Sequence, residues 1–284
     1  MNRSNHRLVF PRVIVALALT LLPTLPAIAA DWPSPDEVAR WEKECGRALS
    51  GDAVAAMVEE IRPLVERISG RAFKQIPQVQ LSEPAEIAAE LEAEWGRMLR
   101  AAAPRTDEFE RTLEVKLAVA AVLPTVPARF FADRNAILVN DRSTCMIQKA
   151  WDKYKADGAF DAQALLKVAI ARELARALQE QHAGISARLL TAKSNEELAA
   201  CWAVSESHAR WVQRAVAAEL NADSESDLLT ELFRTSSLTL DERQHGHVRA
   251  FYFKDRTLLF NEGDEFIRTR AMDGGAERLW EILN

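Results

Sequence analysis

Val54, Met57, Val58, Ile61, Leu64, Val65 and Ile68 recur at the three-to-four-residue spacing of one helix face, and the chain repeats this pattern along most of its length. A first helix is expected from Pro35 or Asp36 to about Leu49, ahead of the break at Gly51. Asp52 is a candidate cap for the second helix, and Pro63 a candidate kink within it. Pro77 to Leu81 alternates apolar and polar residues as a short strand does. Ser82 and Pro84 then open a helix to about Ala103, with Ser82 as its expected N-cap. Another runs from about Thr106 to Leu123 and stops at Pro124. Val126 to Asn140 reads as a β-hairpin turning at Asp133 to Asn135. Beyond Ser143 the pattern is helical again, over about 144–156, 160–183, 195–221, 224–235, 246–253, 263–271 and 274–283. The expected class is mainly α with one small hairpin.

The first 29 residues have another pattern. Arg3, Arg7 and Arg12 precede an apolar run from Val13 to Leu22, broken only by Thr20, and Ala27-Ile28-Ala29 offers small residues for cleavage. This is the form of a secretory signal peptide, short for a membrane span, with an uncleaved anchor as the alternative. The organisation expected is therefore signal peptide 1–29, an N-terminal helical region 30–125 and a second domain 126–284, exported and without a stable membrane span after cleavage. The 284 residues carry a formal charge of −6, which gives no broad basic surface for nucleic acid. Cys45, Cys145 and Cys201 match no zinc spacing. Buried thiols and a bridge are both open, with Cys145–Cys201 the first choice because both flank the 160–183 helix.

The densest chemistry lies at 172–182, R-E-L-A-R-A-L-Q-E-Q-H. On a helical wheel Glu173 falls inside the stripe of Leu166, Ile170, Leu174 and Ala177, where a carboxylate is costly unless paired. Glu206 lies at the edge of the apolar face of the 195–221 helix. Arg172 and Arg176, one turn apart, are the nearest cations, and a guanidinium fork suits a carboxylate. The same residues also read as an ordinary helix with a surface pair between Glu173 and Arg176. His245-Gly246-His247 falls in an expected loop, and His182 near a helix C-terminus. Neither a phosphate-binding Gly loop nor a G-x-S-x-G elbow occurs.

The 172–182 segment resembles the H-E-L-x-H-A-L-Q-[DE]-Q-H helix of the gluzincin metallopeptidases, which share the zincin fold. Glu206-Ser207-His208-Ala209 is similar to their later E-G-x-A helix, and Gly274 to Trp280 to a C-terminal G-G helix of related sequences. The resemblance covers about 126–284 and implies a zincin-like domain. Glu173 would take the general-base position, while Arg172, Arg176 and Glu206 would stand at the zinc-ligand positions. The hairpin would supply an edge strand, Ala136, Ile137, Leu138 and Val139, for pairing with a peptide. The departures are Arg172 and Arg176, where the family has histidine, and Ser207, where it has glycine. A guanidinium has no lone pair for a cation. The expectation is a non-catalytic peptidase homologue with no metal and no cofactor, an Arg–Glu cluster in the metal's place, and a peptide or protein as its partner. Two alternatives stand beside it. One is an active hydrolase with a displaced metal on His208, Glu206, His245 and His247. The other is a purely structural helical envelope protein with a filled cleft.

Overall fold

A computed structural model describes residues 35–46, 49–102, 107–154, 160–192, 195–230, 232 and 254–283. The signal-peptide segment, the 246–253 helix and the His245/His247 pair lie outside them. The described chain is mainly helical with one small sheet. In order, the elements are α1 (Pro35–Glu44), α2 (Gly51–Ser69), β1 (Gln78–Leu81), α3 (Pro84–Ala102), α4 (Glu108–Val122), β2 (Ala128–Phe131), β3 (Ala136–Val139), α5 (Asp141–Tyr154), α6 (Ala162–Ala183), α7 (Ile185–Thr191), α8 (Asn195–Leu220), α9 (223–230) and α10 (Lys254–Leu283). Among the described residues no helix is long and apolar enough to cross a membrane.

Local chemistry sets the ends. Ser50 rather than Asp52 caps α2, its hydroxyl accepting the Ala53 N–H at 3.2 Å. Ser82 does not cap α3. Its N–H extends the sheet by donating to the Val139 carbonyl at 2.9 Å, and its hydroxyl is buried. Asp161 caps α6 by accepting the N–H groups of Gln163 (2.8 Å) and Ala164 (3.0 Å), and Gly184 ends it in the left-handed region at φ 59°. The expected helices at 263–271 and 274–283 form one run, α10, bent at Gly275, whose φ of 64° and ψ of −157° suit only glycine. The short α7 has no counterpart in the expected pattern.

The hairpin turns where expected, with Asn135 left-handed at φ 44°. Its edge does not lie where expected. The strand order is β1-β3-β2, with β1 parallel and β2 antiparallel to β3. Ala136, Ile137, Leu138 and Val139 are thus the central strand, buried and paired on both sides, so they offer no free edge to a peptide. Both the sheet and the core cross the division at 125/126. β1 belongs to the N-terminal region, and α2 packs into the same core as α6, α8 and the hairpin.

Cys45 bridges Cys145, with Cα atoms 5.8 Å apart, and Cys201 is a free, half-buried thiol. The Cys145–Cys201 pairing is therefore corrected. Near its start α5 faces α1, where Cys45, Trp41, Met146 and Ala150 form a small apolar cluster.

Candidate functional site

Two helices and one strand build the site. α6 is buried over most of its length, so polar residues at the interior positions of its middle turns have only protein to pair with. Glu173 is 2% exposed and Glu206, on α8, is 1% exposed. Arg172 and Arg176 both pair with the Glu206 carboxylate, and Arg176 Nε also lies 3.7 Å from Glu173 Oε1. The other Glu173 oxygen accepts the Phe130 N–H of β2 at 2.8 Å. Phe130 stands opposite Ile137 in the hairpin register, yet its N–H points to α6 and not to β3. On the strand edge facing α6, Glu173 thereby occupies the Phe130 N–H.

Sequence reasoning brought these four residues to one place and missed the shell around them. Arg129 of β2 donates from Nη2 to both oxygens of Glu94 on α3 at 3.1 Å. Arg210 of α8 lies 2.8 Å from Asp264 of α10, which also pairs with Arg214 at 3.2 Å. The largely buried arginines Arg129, Arg172, Arg176 and Arg210 are thus set against Glu94, Glu173, Glu206 and Asp264, and these charges cancel, with the half-exposed Arg214 outside the sum. The signal for Arg129 was present: an arginine beside Phe130 and Phe131 in a short strand is buried on one face. Its partner Glu94 lies too far away in sequence for spacing to find.

Burial pushes the guanidinium groups of Arg172 and Arg176 down from their ordinary value, Arg176 the further. Glu173 opposes this in both, and the like charge of Arg129 adds to it. Arg129 moves the other way, because attraction to Glu94 and Glu173 outweighs its own desolvation. Burial also brings Arg210 down to about 10. An arginine starts so high that contact with a carboxylate keeps it protonated near neutrality.

On either side of Glu206 the two helices are also tied by neutral groups. Gln179 Nε2 donates to the Ser205 carbonyl and to His208 Nδ1, each at 2.8 Å, and Ser205 Oγ donates to Gln179 Oε1 at 2.7 Å. His208 therefore accepts at Nδ1 and carries its proton on Nε2, in an interior beside Trp280 and Trp211. Its position excludes it as an exposed ligand. His182 stands in the last turn of α6, as expected, and its Nε2 bonds the Ala72 carbonyl oxygen at 2.9 Å.

Burial lowers the His208 pKa to about 4, from about 6.5 in an unfolded chain. Its stabilising contribution is complete above pH 6.5 and declines as pH falls through that value toward 4, because only the unfolded chain binds the proton there. The expected loss is about 3 kcal/mol by pH 4. Thermal midpoints followed from pH 7 to 5 should fall in the wild type and stay flatter in His208→Gln.

Arg172, Arg176 and Glu206, where the resemblance would put zinc ligands, do not fit a metal. Guanidinium nitrogens cannot ligate, and both Glu206 oxygens are held by arginine. Among the described residues no group of three or more His, Cys, Asp or Glu side chains is arranged to hold an ion. A cleft of about 30 Å³ opens beside the cluster among the described residues, bordered by Leu91, Trp95, Arg129, Glu173 and Trp202. That is room for about two waters and not for a peptide. Comparison with protein-family models, with curated proteins and with solved structures finds no match to this chain.

Proposed function

We propose that this chain is an exported, non-catalytic homologue of the zinc metallopeptidases in which an arginine–glutamate cluster takes the metal's place. The observation that carries the reading is the convergence of Arg172 and Arg176 on the buried Glu206 carboxylate. In a zincin two histidines one turn apart and a glutamate from a second helix would meet there. Here the same spacing meets the same glutamate with charges that hold it without a metal. Glu173, which would activate the water, is committed to the Phe130 N–H and to Arg176. Because arginine cannot ligate a Lewis acid at these positions and the base is engaged, these residues generate no hydrolytic nucleophile.

The filled cleft favours a scaffold over a peptide receptor. β3 has no free edge, Glu173 holds the Phe130 N–H on the α6-facing edge of β2, and the other edge strand, β1, lies away from the cluster, on the far side of β3 from β2. A peptide or protein partner would therefore dock on the outside of the domain. Export is supported by the Arg3–Ala29 pattern and by the Cys45–Cys145 bridge, which suits an oxidising compartment.

Restoring the ligands tests this. Arg172→His with Arg176→His should bind stoichiometric zinc, measured by metal analysis of the purified full chain, while the wild type should carry none. A wild type holding stoichiometric zinc would favour the displaced-site hydrolase, and a folded variant that ignores zinc would remove the peptidase reading.

A further inference from the structure

The last helix is held very differently on the two sides of its bend. Beyond Gly275 it is anchored deeply. Leu279, Trp280 and Leu283 are fully buried, and Trp280 Nε1 donates to the Ser69 carbonyl at 2.6 Å. Arg188 of α7 holds the Leu283 carbonyl, and Arg71 forks onto Glu277. Before Gly275 the arm from 261 to 274 buries only Gly263 and Ile267, while Phe266 and Met272 are exposed.

What holds the arm is the buried Ile267, one close crossing and one ionic contact. A Cβ on Gly263 would lie 2.5 Å from Ser207 Oγ and 3.0 Å from the Ala203 carbonyl oxygen, so the backbone of α10 rests directly on α8. The next residue, Asp264, pairs with Arg210 at 2.8 Å and Arg214 at 3.2 Å. Arg210 in turn donates to Ser207 Oγ at 3.3 Å. The arm therefore covers the turn of α8 that follows Glu206. Beyond the single buried side chain of Ile267 its attachment is polar and local, a smaller anchor than the distal segment has, of the kind that opens without unfolding the core.

We propose that the 261–274 arm is a latch hinged at Gly275, closed by Asp264 on Arg210 and Arg214, that covers and uncovers the basic turn of α8 beside the Arg172–Glu206 pair. The hinge is the bend itself, at a backbone conformation that leaves only glycine free to move. The bolt is a carboxylate shared between two arginines, one buried and one half exposed. When the arm lifts, Ser207 and Arg210 become accessible while Trp280 keeps the distal segment seated. The inference stands on this geometry alone and is independent of the peptidase reading.

Hydrogen exchange followed by mass spectrometry on the full chain tests it. In the wild type, peptides from 261–272 should exchange faster than those from 278–283. Asp264→Asn should speed the arm's exchange further, roughly tenfold, and leave 278–283 unchanged. If that variant does not fold, raising the salt to about 1 M in the wild type, which screens this partly exposed bolt, should loosen the arm selectively. Equal protection of both segments, or an arm indifferent to both the substitution and salt, would overturn the latch.

Discussion

Glu206→Ala should lower the unfolding free energy by about 3–5 kcal/mol, because it leaves two guanidinium groups inside the protein without the carboxylate they share. Arg172 and Arg176 each keep only 13% of their side-chain surface in solvent, so water cannot replace the lost partner. Glu173 cannot replace it either, since one oxygen is bonded to Phe130 N–H and the other is 3.7 Å from Arg176 Nε. For a chain of this size the thermal midpoint should drop by roughly 6–20 °C. Removing the whole cluster is expected to act differently. With Arg172→Met, Arg176→Leu and Glu206→Leu together, the desolvation cost of the ions disappears along with their attraction, and such replacements are commonly neutral or stabilising. Calorimetry on the single and triple variants distinguishes the cases. A single variant as stable as the wild type would mean that the cluster is hydrated and does not lock α6 to α8.

That lock was legible in the sequence for a physical reason. Charges at interior positions of two apolar helices must find one another, and the helical period places Arg172, Glu173 and Arg176 along adjoining faces of one rod. The same period located α2, α6 and α8. The turn at Asp133–Asn135 was legible because its residues tolerate the left-handed backbone. The strand order was not. A parallel pairing of β1 with β3 joins segments separated by two helices and a strand, and no local pattern encodes it. One signal did point that way: Ala136-Ile137-Leu138-Val139 lacks the polar alternation of a strand with one wet face, which is the composition of a strand covered on both. Ser82 misled for a related reason, since its backbone was recruited by the sheet before its side chain could serve the helix. The tie between Arg129 and Glu94, and the bolt at Asp264, depend on how elements pack and leave no trace in spacing.

Removing the Cys45–Cys145 bridge should cost a similar amount by a different route. The bond closes a loop across a sequence separation of 100 residues, and holding such a loop closed in the unfolded chain is worth about 4–5 kcal/mol. Its native role is local as well. α1 meets the rest of the fold through the small cluster of Trp41, Cys45, Met146 and Ala150, set apart from the main core. Cys45→Ser with Cys145→Ser should therefore lower the thermal midpoint by roughly 8–20 °C and loosen α1 ahead of the remaining helices. Cys201→Ser should change little, because that thiol is half-buried on α8 and takes no part in the bridge. Burial also raises the pKa of the Cys201 thiol, so its alkylation at neutral pH should be slow. Mass spectrometry after alkylation without reductant should then find a single reactive cysteine, at Cys201. Modification at Cys45 or Cys145 in the unreduced protein would place the bridge elsewhere and leave α1 held by apolar contact alone.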